Sequence, residues 1–124
     1  MDVIQQLTQG LAEVLAKILF NKTVPKEVYD QIVAMDLDEL DFLLGALVAA
    51  GRLEQAEDIF FAQYEAEPSE GLYSLGTEMY GRMGVFNDEQ LEVFDFSRAE
   101  IERGLRDLEK MHRTGKVVVG DGTN

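Results

Sequence analysis

The amino-acid sequence predicts an all-α fold, a bundle of six to seven antiparallel helices. Leucine, isoleucine and valine recur at spacings of three and four residues, as on the buried face of an amphipathic helix. Helix-capping residues and glycines separate these segments, and the short connections between them favour antiparallel neighbours. No run of alternating β-branched residues precedes Val117–Val119, and three residues do not make a sheet.

The first predicted helix, from about Val3 to Phe20, carries one apolar stripe that permits two interpretations. The stripe can pack inside the chain's own bundle, or its heptad-like spacing can mediate self-association as a homodimer. Insertion at a membrane surface fits less well, because Lys17 is the one base on the polar face. The candidate self-association residues are Ile4, Leu7, Leu11, Val14 and Ile18.

Capping residues mark the next three predicted helices. Asp36 can accept the free N–H groups of the third helix and Glu39 can reach back to it, as in a capping box. Gly51 is expected to end that helix in the left-handed conformation, and Pro68 to end the fourth. The second helix is expected over about Val24–Ala34, with Pro25 in its first turn, and the fourth over about Leu53–Ala66.

Two further capping boxes, Asn87 with Gln90 and Ser97 with Glu100, are predicted to start the sixth and seventh helices. The fifth helix is expected over about Ser69–Met83, the sixth over Asp88–Val93, and the seventh carries Ile101, Leu105, Leu108 and Met111. Residues 114–124 lack a helical period and contain several helix breakers, so we expect a disordered tail there. Residues 1–113 are then predicted to form a single helical domain.

The middle of the chain matches a known helix-hairpin pattern. Gly51 lies at the expected turn, the small Ala56 permits close helix approach, and Phe60 can fill the gap between the helices. The other matching positions are Leu40, Leu43, Leu44, Leu47 and Pro68. Residues 40–68 therefore resemble one tetratricopeptide repeat, which implies a tetratricopeptide-like hairpin within the bundle. Any amphipathic hairpin with a glycine turn would fit the pattern equally well.

Several different short motifs, made mostly of helix ends and turns, lie along the chain. They are residues 15–22 (LAKILFNK), 51–57 (GRLEQAE), 87–91 (NDEQL) and 96–101 (FSRAEI) with Gly104–Leu105. Together these motifs resemble a bacterial family of small helical proteins, domain of unknown function 6483, over roughly residues 3–113. The resemblance implies a helical fold and a bacterial, largely Gram-positive, origin. It implies no chemistry, because the family has no established activity.

The chain is strongly acidic, with a net charge of −13. Residues 27–70 hold twelve acids and one base, Arg52. Such a field repels nucleic acid, so DNA or RNA binding is not expected; the acidity can serve a partner or simply solubility. The chain has no cysteine, no basic leader at its start and no apolar run of about 18 residues. We therefore expect a cytoplasmic protein with no membrane segment.

No constellation of residues predicts a catalytic, cofactor-binding or metal site. The acids at residues 36–41 lack the glycine and glutamate of an EF-hand loop, and they are typical of a first helical turn. His112 is the only histidine, whereas a di-iron bundle needs the Glu109-x-x-His112 motif twice. We expect His112 to be exposed at the end of the seventh helix. The chain is not expected to be an enzyme.

Two functions remain open. The favoured one is a non-catalytic protein-interaction or assembly module that offers an acidic, aromatic face to a basic amphipathic protein segment. The candidate residues of that face are Tyr64, Tyr73, Tyr80, Glu57 and Asp58, although the tyrosines can instead belong to the core. The alternative is a small-ligand-binding protein or enzyme that uses carboxylates or tyrosines in a pocket between helices.

Overall fold

A computed structural model describes residues 2–21 and 23–120 and confirms the all-α fold. Within these residues the chain forms seven helices and no strand. They are α1 (Asp2–Leu19), α2 (Lys26–Val33), α3 (Leu37–Ala49), α4 (Leu53–Ala66), α5 (Glu70–Met83), α6 (Asp88–Val93) and α7 (Arg98–Gly120). Among the described helices, none combines the length and apolar character that crossing a membrane requires.

Three helix ends differ from the prediction. Pro25 is the N-cap of α2, with φ −61°, and does not lie in its first turn. Ser69 caps α5 from outside, and its Oγ accepts the Leu72 N–H at 3.0 Å. α7 continues through Gly120 into the predicted disordered tail, because each residue added to an existing helix gains a backbone hydrogen bond. The tail's last residues, 121–124, lie outside the described residues.

The chain divides into two compact units, Met1–Ala62 and Gln63–Asn124. The first unit contains α1, α2, α3 and most of α4, and the second contains the end of α4 with α5, α6 and α7. The single domain predicted over residues 1–113 stays a prediction.

In the first unit, α1 packs against α2 and α3. Leu11, Val14 and Ile18 from the α1 stripe are at most 3% exposed. Ile4 and Leu7 belong to the same predicted stripe, but their side chains lie outside the described residues. The described part of the stripe therefore packs inside its own unit, and a dimer through these three side chains would require that core to open.

The turn from α3 to α4 has the predicted glycine in the predicted conformation. Gly51 has φ 79°, which a residue with a Cβ adopts at a cost. The Gly51 N–H donates to the Val48 carbonyl at 3.0 Å, and the Arg52 N–H donates to the Leu47 carbonyl at 2.8 Å. These two bonds form a complete Schellman motif, which ends α3 and turns the chain into α4.

In the second unit, α5 packs against α7. Gly104 of α7 lies directly over the ring of Tyr80, which is 1% exposed. The turn from α6 to α7 repeats the Schellman pattern with Asp95 at φ 59° in the position that glycine usually holds. The described core of this unit includes Leu72, Leu75, Met79, Met83, Leu91, Phe96, Ile101 and Leu108.

The predicted capping boxes form as local structures. Asp36 Oδ1 accepts the Glu39 N–H at 2.8 Å, and Glu39 Oε1 accepts the Asp36 N–H at 3.1 Å. Asn87 and Gln90 make the same reciprocal pair at 2.8 and 2.9 Å. At the start of α7, Ser97 Oγ accepts the Glu100 N–H at 3.1 Å, which is the serine half of the predicted box.

Candidate functional site

The side of α3 opposite its leucine stripe keeps an aromatic ring in solvent. Phe42 is 56% exposed, whereas Leu43 and Leu44 beside it are at most 1% exposed. Exposed Asp38 lies four residues before Phe42 and exposed Ala49 seven residues after it, so the three share one face. We call Asp38, Phe42 and Ala49 the α3 outer face. This face therefore presents one exposed aromatic side chain on a helix whose opposite side is packed in the core.

Charge is distributed unequally along this helix. Acids occupy its N-cap and first turns, at Asp36, Asp38, Glu39 and Asp41. The second half of α3, from Leu43 to Ala49, has no charged side chain. Two further apolar side chains near these acids are also exposed, Val33 at 64% and Leu37, between Asp36 and Asp38, at 46%. The N-terminal end of the α3 outer face is therefore acidic, and its C-terminal end is neutral and small.

A second candidate site lies in the second unit, where three side chains surround the imidazole of His112. The rings of Tyr73 and His112 stack with centroids 3.8 Å apart and an interplanar angle of 10°. His112 Nε2 is 3.4 Å from Glu70 Oε2, and His112 Nδ1 is 3.4 Å from Tyr64 Oη. We call Tyr64, Glu70, Tyr73 and His112 the imidazole cluster; it ties the last turn of α4 and the start of α5 to α7.

Hydrogen bonding satisfies the imidazole cluster when His112 is neutral. With a proton on Nε2, His112 donates to Glu70, and Nδ1 accepts the hydroxyl proton of Tyr64. Burial, followed by the negative charge of Glu70 and then by Tyr73, raises the pKa of Tyr64 above its ordinary value. Tyr64 therefore stays a neutral hydroxyl at physiological pH. The cluster links the last turn of α4 and the start of α5 to α7, and the Tyr64 hydroxyl donates to His112 in the tautomer whose Nδ1 carries no proton.

The prediction that His112 is exposed is wrong. Its side chain is 13% exposed, because the ring lies against Tyr73 and not beyond the end of a short helix. The sequence placed the end of the seventh helix near His112, whereas α7 continues to Gly120. A histidine in the middle of a packed helix has neighbours on its inner side, and these cover it.

The aromatic face predicted from Tyr64, Tyr73 and Tyr80 is not an open surface. Tyr64 is 2% exposed and Tyr80 is 1% exposed, so both belong to the core, as the second interpretation allowed. Tyr73 is half-buried and its ring is occupied by the stack with His112. None of the three rings is free to anchor a partner in this arrangement.

The two acids of the predicted face belong to the first unit. Glu57 is half-buried and Asp58 is exposed on α4. Partial desolvation, and secondarily the negative charge of Glu54, raises the pKa of Asp58. Burial and the charge of Asp58 in turn raise the pKa of Tyr29 on α2. Its surroundings thus disfavour the ionised form of the Asp58 carboxyl, although the side chain remains accessible to solvent.

The single base of the acidic segment has a structural role. Arg52 Nη2 donates to the Leu19 carbonyl at 2.5 Å, and Nη1 donates to the Asn21 carbonyl at 3.4 Å and to Gln55 Oε1 at 2.6 Å. Gln55, which is 6% exposed, donates from Nε2 to the Ile18 and Asn21 carbonyls at 3.3 and 3.1 Å. The two side chains satisfy carbonyls that the end of α1 leaves without helical partners.

Arg98 has the equivalent role in the second unit. Its Nη1 donates to the Gly84 carbonyl at 3.0 Å and its Nη2 to the Phe86 carbonyl at 2.8 Å. Asp88 Oδ1 lies 3.0 Å from Nη2 and orients the guanidinium. In each unit, therefore, an arginine from later in the chain donates hydrogen bonds to carbonyls at or just after the end of an earlier helix.

These arginines explain the motifs that the sequence analysis singled out. Residues 15–22 meet residues 51–57 through Arg52 and Gln55, and residues 87–91 meet residues 96–101 through Arg98 and Asp88. Gly104 completes the set, because its missing Cβ leaves room for the Tyr80 ring. The motifs therefore describe helix ends and close contacts.

The carboxylates and the histidine give no sign of a metal centre in the described residues. Their side chains do not gather there in groups of three or more that could hold a metal ion. Each carboxylate whose exposure the structure describes is exposed or half-buried. The acids of this part of the chain therefore face water to some degree.

Sequence reasoning missed Phe42 and the partners of His112. Phe42 could have been recognised, because it lies off the leucine stripe of α3 and the helical period places it on the opposite side. The imidazole cluster carried no such signal. Its members are spread from Tyr64 to His112, and only the packing of α5 on α7 brings them together.

In the part of the chain that the structure describes, the helices present the α3 outer face with its exposed Phe42, and Arg52 and Arg98 cap the ends of earlier helices. The chain matches a family of unknown function, DUF6483, over residues 1–113 and belongs to that family. The resemblance stated from the motifs is thereby confirmed. The comparisons with curated proteins and with solved structures gave no match.

Proposed function

We propose that this protein is a non-catalytic protein-interaction module, and that the α3 outer face is its binding surface. The observation that carries the proposal is the exposure of Phe42, 56%, on a helix whose other side is already packed in the core. Burying a fully exposed phenylalanine side chain is worth roughly 1.5–3 kcal/mol, and covering the exposed part of Phe42 would supply a fraction of this. Exposed aromatic side chains of this kind are common anchors of protein interfaces.

Charge supports a basic partner. Residues 27–70 hold twelve acids and one base, and the base, Arg52, is engaged with the carbonyls that end α1. A partner with lysines or arginines beside an apolar anchor would be attracted by this segment, and its association would weaken as salt is added. The acids thus favour a basic partner, and Phe42 supplies the apolar contact with it.

The helix hairpin supports the same function. Gly51 lies in the turn between α3 and α4, and Ala56 and Phe60 are fully buried, which is compatible with the proposed tetratricopeptide-like hairpin. Tetratricopeptide hairpins serve protein recognition in other contexts, which is why a tetratricopeptide-like middle segment fits an interaction role. A cysteine-free chain also suits a reducing compartment, and we propose the cytoplasm as its location.

The test is affinity capture with matched surface variants. The immobilised chain and its Phe42→Ser variant are incubated with a lysate of the source organism at low and at high salt, and bound proteins are quantified. We expect a partner that the wild-type chain retains at low salt and the variant loses at least tenfold.

Phe20→Ser is the control, because Phe20 is 88% exposed in the same unit but lies outside α3. It should retain the partner at the wild-type level. If no retained protein depends on Phe42, or if Phe20→Ser loses it equally, the α3 outer face is not the binding surface.

A further inference from the structure

We infer that the partner is an amphipathic helix that lies antiparallel to α3, with its basic residues in its own last turn. This inference rests on the proposed function, since it specifies what the α3 outer face binds. It is carried by the exposed Phe42 ring, together with the unequal charge on either side of it.

The shape of the face selects a helix. Asp38, Phe42 and Ala49 follow one another along one side of the helix, and the eleven residue steps from Asp38 to Ala49 rise about 16.5 Å. A partner helix of three turns spans this line with apolar side chains at spacings of three and four. Ala49 exposes only a methyl group, so large apolar side chains of the partner can lie over it beside the Phe42 ring.

Charge selects the direction. The acids lie at the N-terminal end of α3, at Asp36, Asp38, Glu39 and Asp41, and Leu43–Ala49 carries no charge. Lysines or arginines of the partner must therefore lie beside the start of α3. A helix carries cations most favourably in its last turn, where they complement its own dipole. A partner with its last turn beside the first turn of α3 runs antiparallel to it, which also pairs the opposite poles of the two helices.

Three synthetic peptides test this inference. Each is a fluorescein-labelled helix of 16 residues with leucines at the a and d positions of its heptads. The first has three lysines in the last turn, the second has the same lysines in the first turn, and the third has glutamates in place of the lysines of the first. Binding to the full chain is measured by fluorescence anisotropy at low salt.

We expect the peptide with last-turn lysines to bind at least tenfold more tightly than either of the others. Phe42→Ser should weaken its binding at least tenfold, and Phe20→Ser should leave it unchanged. Asp38→Lys should weaken it several-fold and reduce the preference over the peptide with first-turn lysines, because the acidic end is then partly neutralised. Circular dichroism confirms that each variant remains helical.

Three results would overturn the inference: equal binding of the two lysine peptides, tighter binding of the one with first-turn lysines, or no Phe42-dependent binding of any peptide. These failures are distinguishable from failure of the proposed function. If affinity capture still yields a Phe42-dependent partner while all peptides fail, the surface is correct and the assigned partner class is wrong.

Discussion

The rings of Tyr73 and His112 stack with centroids 3.8 Å apart and 10° between their planes, although α5 carries one and α7 the other. The same imidazole lies within 3.4 Å of Glu70 and of Tyr64. The only histidine of the chain is therefore an element of packing in the second unit, where it joins α7 to the α4–α5 segment, about 40 residues earlier in the sequence.

Replacing His112 by alanine removes the stack and the hydrogen bond to Tyr64 together. We expect the free energy of unfolding to fall by about 1–3 kcal/mol, the combined range for an aromatic pair and a hydrogen bond. Urea denaturation followed by circular dichroism measures the change. Lys110→Ala is the control, because Lys110 is exposed on the same helix, and it should alter stability by less than about 0.5 kcal/mol. Equal losses in both variants would contradict the packing role.

Local features of this fold were predictable and distant ones were not. The capping boxes at Asp36 and Asn87 and the glycine turn at Gly51 depend on residues three or four positions apart, so the sequence pattern determines them. The Arg52 contact with the Leu19 carbonyl joins residues 33 positions apart. In the sequence, a charged residue within a hydrophilic segment gives no indication that its side chain will cap another helix.

The candidate sites divide in the same way. The sequence predicts tyrosines as the partner-facing aromatic residues. The large apolar rings of Tyr64 and Tyr80 are buried in the core. Phe42 remains exposed because the opposite side of α3 makes that helix's core contacts. Side-chain type alone does not distinguish an aromatic ring that is buried from one that is exposed.

Arg52 is predicted to resist conservative replacement. Its guanidinium donates to two carbonyls and to Gln55, a geometry that the single ammonium of lysine does not reproduce. Arg52→Ala should lower the free energy of unfolding by about 1.5–3 kcal/mol, as for hydrogen bonds to a charged group, and Arg52→Lys should recover less than half of the loss. Thermal or urea unfolding of the three proteins measures this.

The control for Arg52 is Arg113→Ala. Arg113 forms an exposed pair with Glu109 at 3.8 Å, and such pairs contribute little. We expect a change below about 0.5 kcal/mol. If Arg52→Lys proved as stable as the wild-type chain, the charge alone would suffice and the fork geometry would not be needed.

Asp95 offers a stabilising substitution. It holds φ 59° in the turn between α6 and α7, a conformation that costs a residue with a Cβ up to about 1–2 kcal/mol and glycine much less. Asp95→Gly should therefore raise the free energy of unfolding by up to about 1 kcal/mol, which differential scanning calorimetry would register as a higher Tm. Gly51→Ala, at φ 79°, is the opposite test and should lower it by about 1 kcal/mol or more. A lower Tm for Asp95→Gly would show that the aspartate side chain stabilises the turn.

We predict that replacing Asp58 changes stability in a pH-dependent way. Its pKa is raised by partial desolvation and by Glu54, so the stabilisation linked to its protonated form is complete below the ordinary value of 3.8 and is lost as pH rises through the folded pKa. Asp58→Asn should therefore raise the urea midpoint at neutral pH, and the gain should disappear as pH falls below that value.

Glu13→Gln is the matched control in the same unit, because Glu13 is exposed on α1. We expect it to show no comparable gain at neutral pH. A gain for Asp58→Asn that is the same at both pH values would mean that the effect comes from the amide and not from the charge.

Gly104 of α7 is predicted to resist replacement by a residue with a Cβ. An added Cβ would lie 2.6 Å from Tyr80 Cε1 and still closer to the ring's Cζ and hydroxyl, far inside van der Waals contact. Because Tyr80 is 1% exposed, its ring cannot move aside without disturbing the core. Gly104→Ala should lower the free energy of unfolding by about 1–3 kcal/mol, the range for overpacking, as measured in urea.

A matched glycine separates this contact from helix propensity. A Cβ at Gly81 on α5 would meet nothing within 4 Å, so Gly81→Ala should raise stability by up to about 1 kcal/mol. A double-mutant cycle then isolates the Tyr80 contact. In a Tyr80→Ala background, Gly104→Ala should lose its penalty, because the ring that it would strike is gone. A penalty that persists in that background would place the obstruction elsewhere in the second unit, and the contact between Gly104 and Tyr80 would not explain it.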